Sequence, residues 1–177
     1  MIYGFCGAAG SGKTYAADLL CELIRDSKRH SFSTPLKDML ERTMGFTYEQ
    51  LYGDKKEIID DRYGKSPRQI MQTLGTEWGR NMVHPDIWVI AINNQIDSRE
   101  KVGATVHIID DVRFENEANY VRSRGVLIHM VGKNCIKSSH SSEDGIKPKR
   151  EDFTIINDYG CGDAVNLMLL RIAKEAS

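Results

Sequence analysis

Eight residues near the start of the chain have the composition and spacing of a phosphate-binding loop. Residues 7–14 have the sequence GAAGSGKT, which fits the pattern G-x-x-x-x-G-K-[ST] at every fixed position. In such a loop, glycines let successive backbone N–H groups turn toward phosphate oxygens at the N-terminus of a helix. We expect Lys13 to bind the β- and γ-phosphates of a nucleotide and the Thr14 hydroxyl to bind Mg²⁺. The predicted nucleotide-binding residues are Gly10, Ser11, Gly12, Lys13 and Thr14.

The neighbours of this loop favour nucleotide binding over a chance glycine-rich turn. An apolar run at residues 1–6 predicts a buried strand before it, and apolar residues at helical spacing follow it. A turn without function would not need a lysine and a hydroxyl residue at these two positions. The loop alone does not indicate catalysis, because switches and motors use it as well as kinases.

Charged residues follow the predicted third strand, residues 106–109. Asp110 and Asp111 come directly after it, and Arg113 lies two residues further on. An aspartate here could hold the water shell of a metal ion or orient an acceptor oxygen, and Arg113 could neutralise charge on a transferring phosphoryl group. Since side chains alternate along a strand, only one aspartate can face the site. The alternative is a surface Asp–Arg pair of little energetic weight.

A second group of candidates lies on a predicted helix that begins at Ser66 with a capping box closed by Gln69. Arg68 occupies its first turn, where a cation opposes the helix dipole unless an anion binds nearby. Gly75 and Thr76 are small and would let a flat ligand approach. The alternative for Arg68 is a solvated arginine. Trp88 is either a stacking platform for a base or a core residue.

Residues 132–150 are rich in serine, lysine and glycine and form a candidate lid. Such a basic loop could close over phosphates and exclude water, or it could be an ordinary solvated connection. His140 belongs to this loop or to the site, whereas His107 and His129 fall in predicted strands and are interpreted as structural. The positive charge of the segment comes from Lys133, Lys137, Lys147, Lys149 and Arg150.

Composition excludes several classes of function. The 177 residues include 25 acidic and 24 basic side chains, so no overall field draws the chain to nucleic acid or to a membrane. No apolar run approaches the roughly 18 residues of a membrane span. Four cysteines without a C-x-x-C pair are expected to be reduced thiols of a soluble cytoplasmic protein.

Strand and helix patterns alternate along the chain, which predicts parallel pairing through right-handed crossovers. In such sheets ligands bind beyond the carboxyl ends of the strands. The polar segment 45–65 is predicted to be a mobile, partly helical excursion. The predicted strands are 1–6, 30–33, 106–109, 126–131 and 153–156; the predicted helices follow the phosphate loop, Pro35, Ser66, Pro85 and Asp111, with a last one around residues 165–172.

Taken in order, these segments resemble the bacteriophage deoxynucleoside monophosphate kinases, a family of the P-loop nucleoside monophosphate kinase group. The phosphate loop indicates only nucleotide binding. The Arg-x-x-x-Gln-x-Leu-Gly-Thr and Asp-x-Arg-x-x-x-Glu segments are more specific, and the matching segments span nearly the whole chain. Besides the loop they are residues 35–38, 68–76, Trp88, 111–117, 140–143 and 156–158.

This resemblance implies an α/β fold of the P-loop NTPase type. The expected architecture is a three-layer sandwich, in which a five-stranded parallel sheet of order 2-3-1-4-5 carries helices on both faces. Residues 1–177 would form one domain, with an acceptor-binding helical region at about 35–97 and the candidate lid at about 132–150. A homodimer is also implied.

The resemblance further implies ATP as donor, Mg²⁺ as cofactor and a deoxynucleoside monophosphate (dNMP) as acceptor, in the host cytoplasm if the chain is viral. It favours Asp111 over Asp110 as the working acid and as a second metal-related residue beside Thr14. The predicted catalytic residues are Lys13, Arg68, Asp111 and Arg113. The predicted acceptor-binding residues are Lys37, Arg68, Gly75, Thr76, Trp88, Asp111, Arg113 and Glu117.

Such a reaction needs in-line positioning, charge neutralisation and exclusion of water rather than a protein nucleophile. The acceptor phosphate is itself the attacking group, so Asp111 is expected to orient a group or hold a metal ion rather than to act as a strong base. Two alternatives remain at this point: a kinase of another small acceptor, such as dephospho-coenzyme A, or a binding module gated by nucleotide.

Overall fold

A computed structural model describes residues 1–132, 145–157 and 162–176, the side chains of 162–164, 175 and 176 excepted. The chain divides into two compact units. The first consists of Met1–Ser31 with Asn94–Ser177, and the second of Phe32–Asn93. The acceptor-binding helical region predicted at 35–97 corresponds to most of the second unit.

The first unit contains a sheet of five parallel strands, as the sequence predicted. Its order is β2-β3-β1-β4-β5, so the predicted order is confirmed. β1 lies at the centre and leads directly into the phosphate loop. The strands are β1 (Ile2–Cys6), β2 (Lys28–His30), β3 (His107–Val112), β4 (Gly125–Val131) and β5 (Phe153–Ile156).

Helices follow the strands as predicted, and the helix predicted from Ser66 divides into an α-helix and a π-helix. A 3-10 turn, Asp54–Glu57, lies in the segment predicted as an excursion. The α-helices are α1 (Lys13–Leu23), α2 (Thr34–Met44), α3 (Tyr48–Leu51), α4 (Pro67–Gln72), α5 (Ile87–Glu100), α6 (Glu115–Arg124) and α7 (Gly162–Ala176); the π-helix is Thr73–Val83.

Helices cover both faces of the sheet, which confirms the three-layer sandwich. Tyr3 and Phe5 of β1 pack with apolar residues of α1 and α7 in one buried cluster. Gly4 faces the opposite side, where a Cβ would lie 2.8 Å from the methyl groups of Val121 in α6. Side chains alternate along β1, so Tyr3 and Phe5 pack in one layer, whereas Gly4 allows α6 to approach the strand closely on the other face.

Two strand boundaries differ from the prediction. β2 ends at His30 rather than at residue 33, because α2 begins at Thr34 with Pro35 in its first turn and the chain must turn before it. β3 extends to Val112 and therefore includes both aspartates. Gly4 pairs with Ile109 but Cys6 with Val112. Three residues of β3 thus oppose two of β1, a bulge that breaks simple alternation at the aspartates.

The helix predicted from Ser66 begins as expected but changes its hydrogen bonding. The Ser66 hydroxyl accepts from the Gln69 backbone N–H and the Gln69 side chain accepts in return, which confirms the capping box. The helix widens into the π-helix at Thr73. The Gly75 carbonyl accepts from the side chains of Arg80 and Trp88, both at 2.8 Å. These donors compete with regular i→i+4 bonding at this turn.

Across the described ranges, no helix combines the length and apolar character needed to cross a membrane.

Two buried histidines face each other across β2 and β3. His30 is 9% exposed and His107 is fully buried, with His30 Nε2 3.0 Å from His107 Nδ1. Burial, with smaller contributions from the neighbouring His107 and Arg99, lowers the pKa of His30 to about 4. Burial also lowers the pKa of His107, against the opposite effect of Glu100. Both rings are therefore mainly neutral at pH 7.

We predict that the free energy of unfolding falls between pH 7 and pH 5. The unfolded chain binds protons on histidine near pH 6.5 and folded His30 only near pH 4, so the unfolded state holds more protons in this window. One such histidine accounts for a loss of about 2 kcal/mol between pH 7 and pH 5. Urea unfolding at both pH values measures it. His30→Gln should reduce the loss, and an equal loss in the variant would contradict the assignment.

Candidate active site

The phosphate loop joins β1 to α1 through three glycines with positive φ. The values are 134° at Gly7, 79° at Gly10 and 93° at Gly12. Residues with a Cβ rarely adopt such angles, so the glycines allow the sharp turn that directs backbone N–H groups inward. Lys13 is the first residue of α1, and its Nζ donates to the carbonyls of Gly7 and Ala8, both at 2.8 Å. The glycines therefore turn the loop as the motif predicts, and the contact of Lys13 with phosphates stays a prediction.

A cavity of about 370 Å³ opens beside the loop, inside the first unit. Lys13 and Arg113 both line it, so two of the predicted catalytic cations border the same space. Two positive side chains around one cavity favour a ligand that carries several negative charges. The loop residues Gly7, Ala8 and Ala9, the ends of β3 and β4, and residues 145, 146 and 148 complete its walls.

The two adjacent aspartates have different partners. Asp110 accepts from Arg29, which also pairs with Asp18. Asp111 accepts from the Ser31 hydroxyl, with 2.5 Å between the two oxygens. Burial raises the pKa of Asp110, and Asp111 raises it further, while Arg29 opposes both. Asp110 is thus engaged in an ion-pair network, which agrees with Asp111 as the working acid without testing it.

Glu117 is 1% exposed and belongs to the N-terminus of α6. Its Oε2 accepts from the backbone N–H groups of Arg113 at 2.8 Å and Phe114 at 3.1 Å. A carboxylate at this position satisfies helix donors and complements the helix dipole. In this structure Glu117 therefore fixes the backbone that carries Arg113, and its predicted contact with an acceptor stays a prediction.

Lys37 and Arg68 belong to the second unit and have partners within it. Lys37 Nζ lies 4.1 Å from the centre of the Tyr52 ring, a cation–π contact. Arg68 forms an ion pair with Glu57, and both side chains are at least half exposed. The carboxylate of Glu57 supplies the anion that the helix-dipole argument required near Arg68. That argument therefore does not by itself indicate a ligand.

Trp88 is a core residue of the second unit. The side chain is 4% exposed, and its indole N–H donates to the Gly75 carbonyl. A Cβ on Gly79 would lie 2.9 Å from the ring, so the π-helix packs directly on it. Of the two interpretations left open by the sequence, the structure shows core packing. The interpretation of Trp88 as a platform that stacks directly on a base is therefore corrected, because the ring is enclosed. Thr76 is half-buried in the same π-helix.

A buried polar chain below the cavity was missed by sequence analysis. Cys6 Sγ lies 3.2 Å from His129 Nδ1, and His129 Nε2 lies 2.9 Å from Asp152 Oδ2. Burial raises the pKa of Cys6 to about 12, so the thiol keeps its proton at pH 7 while it lies within hydrogen-bond distance of His129. Arg122 donates twice to Asp152 and once to the Lys147 carbonyl. Residues 6, 129 and 152 are too distant in sequence for any pattern to pair them.

These hydrogen bonds fix the segment that returns to the cavity wall. Gly145, Ile146 and Pro148 line the cavity, and Arg122 and Asp152 hold the residues that follow them. The rest of the candidate lid, residues 133–144 with Lys133, Lys137 and His140, lies outside the described residues. Cys6 and Cys21 are free thiols, as predicted, and Cys135 and Cys161 also fall outside the described ranges.

The resemblance implies Mg²⁺ as a cofactor, and Thr14 is the loop residue predicted to bind it. No group of three or more His, Cys, Asp or Glu side chains that could hold a metal ion occurs among the residues that the structure describes. A magnesium ion bound with a nucleotide does not need one, since phosphate oxygens and waters supply most ligands. Thr14 is exposed in the first turn of α1, and its hydroxyl fits this role.

We predict that Gly7→Ala and Gly10→Ala have unequal effects, although both glycines have positive φ. A Cβ on Gly7 would lie 2.2 Å from the Met130 carbonyl oxygen, whereas a Cβ on Gly10 has nothing within 4 Å. Gly10→Ala should cost only backbone strain, about 1 kcal/mol. Gly7→Ala should cost several times more in urea unfolding, because loop or strand must shift. Equal losses would show that the Gly7 contact is not tight.

Comparison with known proteins adds independent evidence. Residues 45–164 match the family described as deoxynucleotide monophosphate kinase. The deoxynucleoside-5'-monophosphate kinase of Escherichia phage T5 is 28% identical over 241 aligned positions, which cover 97% of this chain and 94% of that protein. A protein of Acanthamoeba polyphaga mimivirus, provisionally named a deoxynucleotide monophosphate kinase, is 30% identical over 174 positions and 89% of each chain.

Among solved structures, an unliganded sugar kinase from a Janibacter species aligns over 97% of this chain and 91% of its own, with a TM-score of 0.46 and 13% identity. That likeness is too loose to support an argument about function. The sequence matches are much more specific, and they confirm the resemblance drawn from the motifs. The chain belongs to the deoxynucleotide monophosphate kinase family.

Proposed function

We propose that the protein transfers the γ-phosphoryl group of ATP to a dNMP and releases ADP and a deoxynucleoside diphosphate. Membership of the deoxynucleotide monophosphate kinase family supports a dNMP as the acceptor. The observation that carries the chemistry is the cavity beside the phosphate loop, because Lys13 and Arg113 line it together. Phosphoryl transfer spreads negative charge over the transferring oxygens, and two cations in a small cavity can stabilise that charge.

The donor side is assigned to the loop. Backbone N–H groups of Gly10, Ser11 and Gly12 hold the phosphate oxygens, and Lys13 leaves the carbonyls of the loop to bind the β- and γ-phosphates. Thr14, with Asp111 as the second candidate, would hold Mg²⁺, which neutralises phosphate charge when bound.

The residues proposed for the acceptor are assigned one by one, each by its own chemistry. Arg113 binds the phosphoryl group under transfer, and Glu117 keeps the Arg113 backbone in place. Lys37 and Arg68 are proposed to bind the acceptor phosphate after exchanging their present partners, Tyr52 and Glu57. Gly75 and Thr76 are proposed to contact the acceptor, and Trp88 to act on them through its bond to the Gly75 carbonyl.

No general base of high strength is required, because the acceptor phosphate is already an anion at pH 7. Asp111 is proposed to orient the acceptor or the water shell of the metal rather than to remove a proton. The reaction would take place in the host cytoplasm, as expected for relatives encoded by viruses. The family match does not favour dephospho-coenzyme A as acceptor or a nucleotide-gated binding module. A homodimer stays a prediction that sedimentation can measure.

A panel of acceptors tests the proposed function directly. We expect diphosphate products and ADP when the protein is incubated with ATP, Mg²⁺ and individual dNMPs, and none with dephospho-coenzyme A. Chromatographic separation of the products measures both outcomes. If no dNMP yields a diphosphate while the protein is folded, the proposed function is wrong.

Arg113→Ala should lower turnover roughly 100-fold or more, because a cation that stabilises transferring charge is lost. The side chain is exposed, so the free energy of unfolding should change little. Arg25→Ala is the matched control, since Arg25 is an exposed arginine in the turn after α1 and lines no part of the cavity. Equal turnover in the two variants would remove Arg113 from the reaction.

A further inference from the structure

Asn157 directly follows β5 and contacts two neighbouring segments at once. Its backbone N–H donates to the Val131 carbonyl at 2.7 Å, which continues the pairing of β5 with β4. Its side-chain Nδ2 donates to the Ser11 carbonyl at 3.0 Å. One residue therefore ties the edge strand of the sheet to the phosphate loop, 146 positions away in sequence.

The Ser11 carbonyl has a particular need for this partner. A phosphate loop turns its N–H groups inward, so its carbonyls point to the protein. Ser11 is fully buried, and a buried carbonyl that loses its donor is left without a hydrogen bond and without water to replace it. The Asn157 amide thus stabilises the peptide orientation that the inward-facing N–H groups require.

Gly12 gives a second contact between Asn157 and the loop. A Cβ on Gly12 would lie 2.4 Å from Asn157 Nδ2, and the residue has φ of 93°. Gly12 is also the N-cap of α1 and precedes Lys13. The amide of Asn157 therefore packs against the last residue of the loop while it binds the one before, which leaves the loop little freedom at its junction with the helix.

We propose that Asn157 is a positioning residue for the phosphates of the donor nucleotide. It acts through the Ser11 carbonyl and the Gly12 backbone and does not touch the acceptor. The inference rests on the proposed function for its kinetic readout, but donor binding can be measured without transfer. The chemistry required is an amide donor at this position, because an aspartate of the same shape would present only acceptors to the Ser11 carbonyl.

The test compares Asn157→Ala and Asn157→Asp with wild-type protein. We expect the dissociation constant for ADP, measured by calorimetric titration, and KM for ATP to rise roughly 10-fold in Asn157→Ala, while KM for the dNMP changes less than about 2-fold. In Asn157→Asp the dissociation constant for ADP and KM for ATP should rise further, because the carboxylate faces the Ser11 carbonyl and adds negative charge beside the phosphate site.

Asn166→Ala is the matched control. The Asn166 side chain accepts one hydrogen bond from the first part of α1, from the Tyr15 hydroxyl at 3.0 Å. The variant therefore removes an amide next to the same helix without touching the loop. It should bind ADP as wild type does. Urea unfolding of each variant reports stability separately, and measurements are made where all variants are folded.

Two results would overturn the inference. ADP affinity that is unchanged in both Asn157 variants would show that the loop holds its form without the amide. An equal rise in KM for both substrates would indicate a general structural role. If wild-type protein binds ADP but transfers no phosphate, the proposed function fails while the ADP titration still decides the role of Asn157.

Discussion

The site depends on a backbone conformation that only glycine can adopt at the crowded junction of β1 and α1. Gly7 has φ of 134° and lies so close to the Met130 carbonyl of β4 that a Cβ would overlap with it. A Cβ on Gly12 would lie 2.4 Å from the side-chain amide of Asn157, which follows β5. The loop is therefore shaped by its contacts with the neighbouring strands as well as by its own sequence. This explains why the central strand, with β4 beside it, must carry the motif.

Once the loop is fixed, the remaining requirement is positive charge at the carboxyl edge of the sheet. Lys13 comes from the loop and Arg113 from the turn after β3, and both line one cavity. Nearby carboxylates have other partners, since Glu117 accepts from backbone N–H groups and Asp110 pairs with Arg29. The buried Cys6–His129–Asp152 chain holds the far wall. The net result is an electropositive space suited to phosphate transfer.

Sequence analysis predicted the features of the fold that depend on local patterns of residues. Alternating strand and helix patterns predicted the parallel sheet, the family resemblance implied its order, and the Ser66 capping box predicted the start of α4. Contacts between distant residues were not accessible to such patterns. Glu57 as the partner of Arg68, the enclosed ring of Trp88 and the amide of Asn157 on the loop all depend on tertiary packing. The bulge in β3 likewise needs the register with β1, which no single segment encodes.

In the proposed reaction, Lys13 and Arg113 bind the same phosphate chain in the cavity of the first unit. A crystal structure with a bisubstrate analogue, an adenosine and a deoxynucleoside joined by a polyphosphate, can test this. We expect phosphates in the cavity, with the Lys13 ammonium and the Arg113 guanidinium within hydrogen-bond distance of their oxygens. A phosphate chain bound elsewhere, or bound with Arg113 turned away from it, would show that the two cations do not act together.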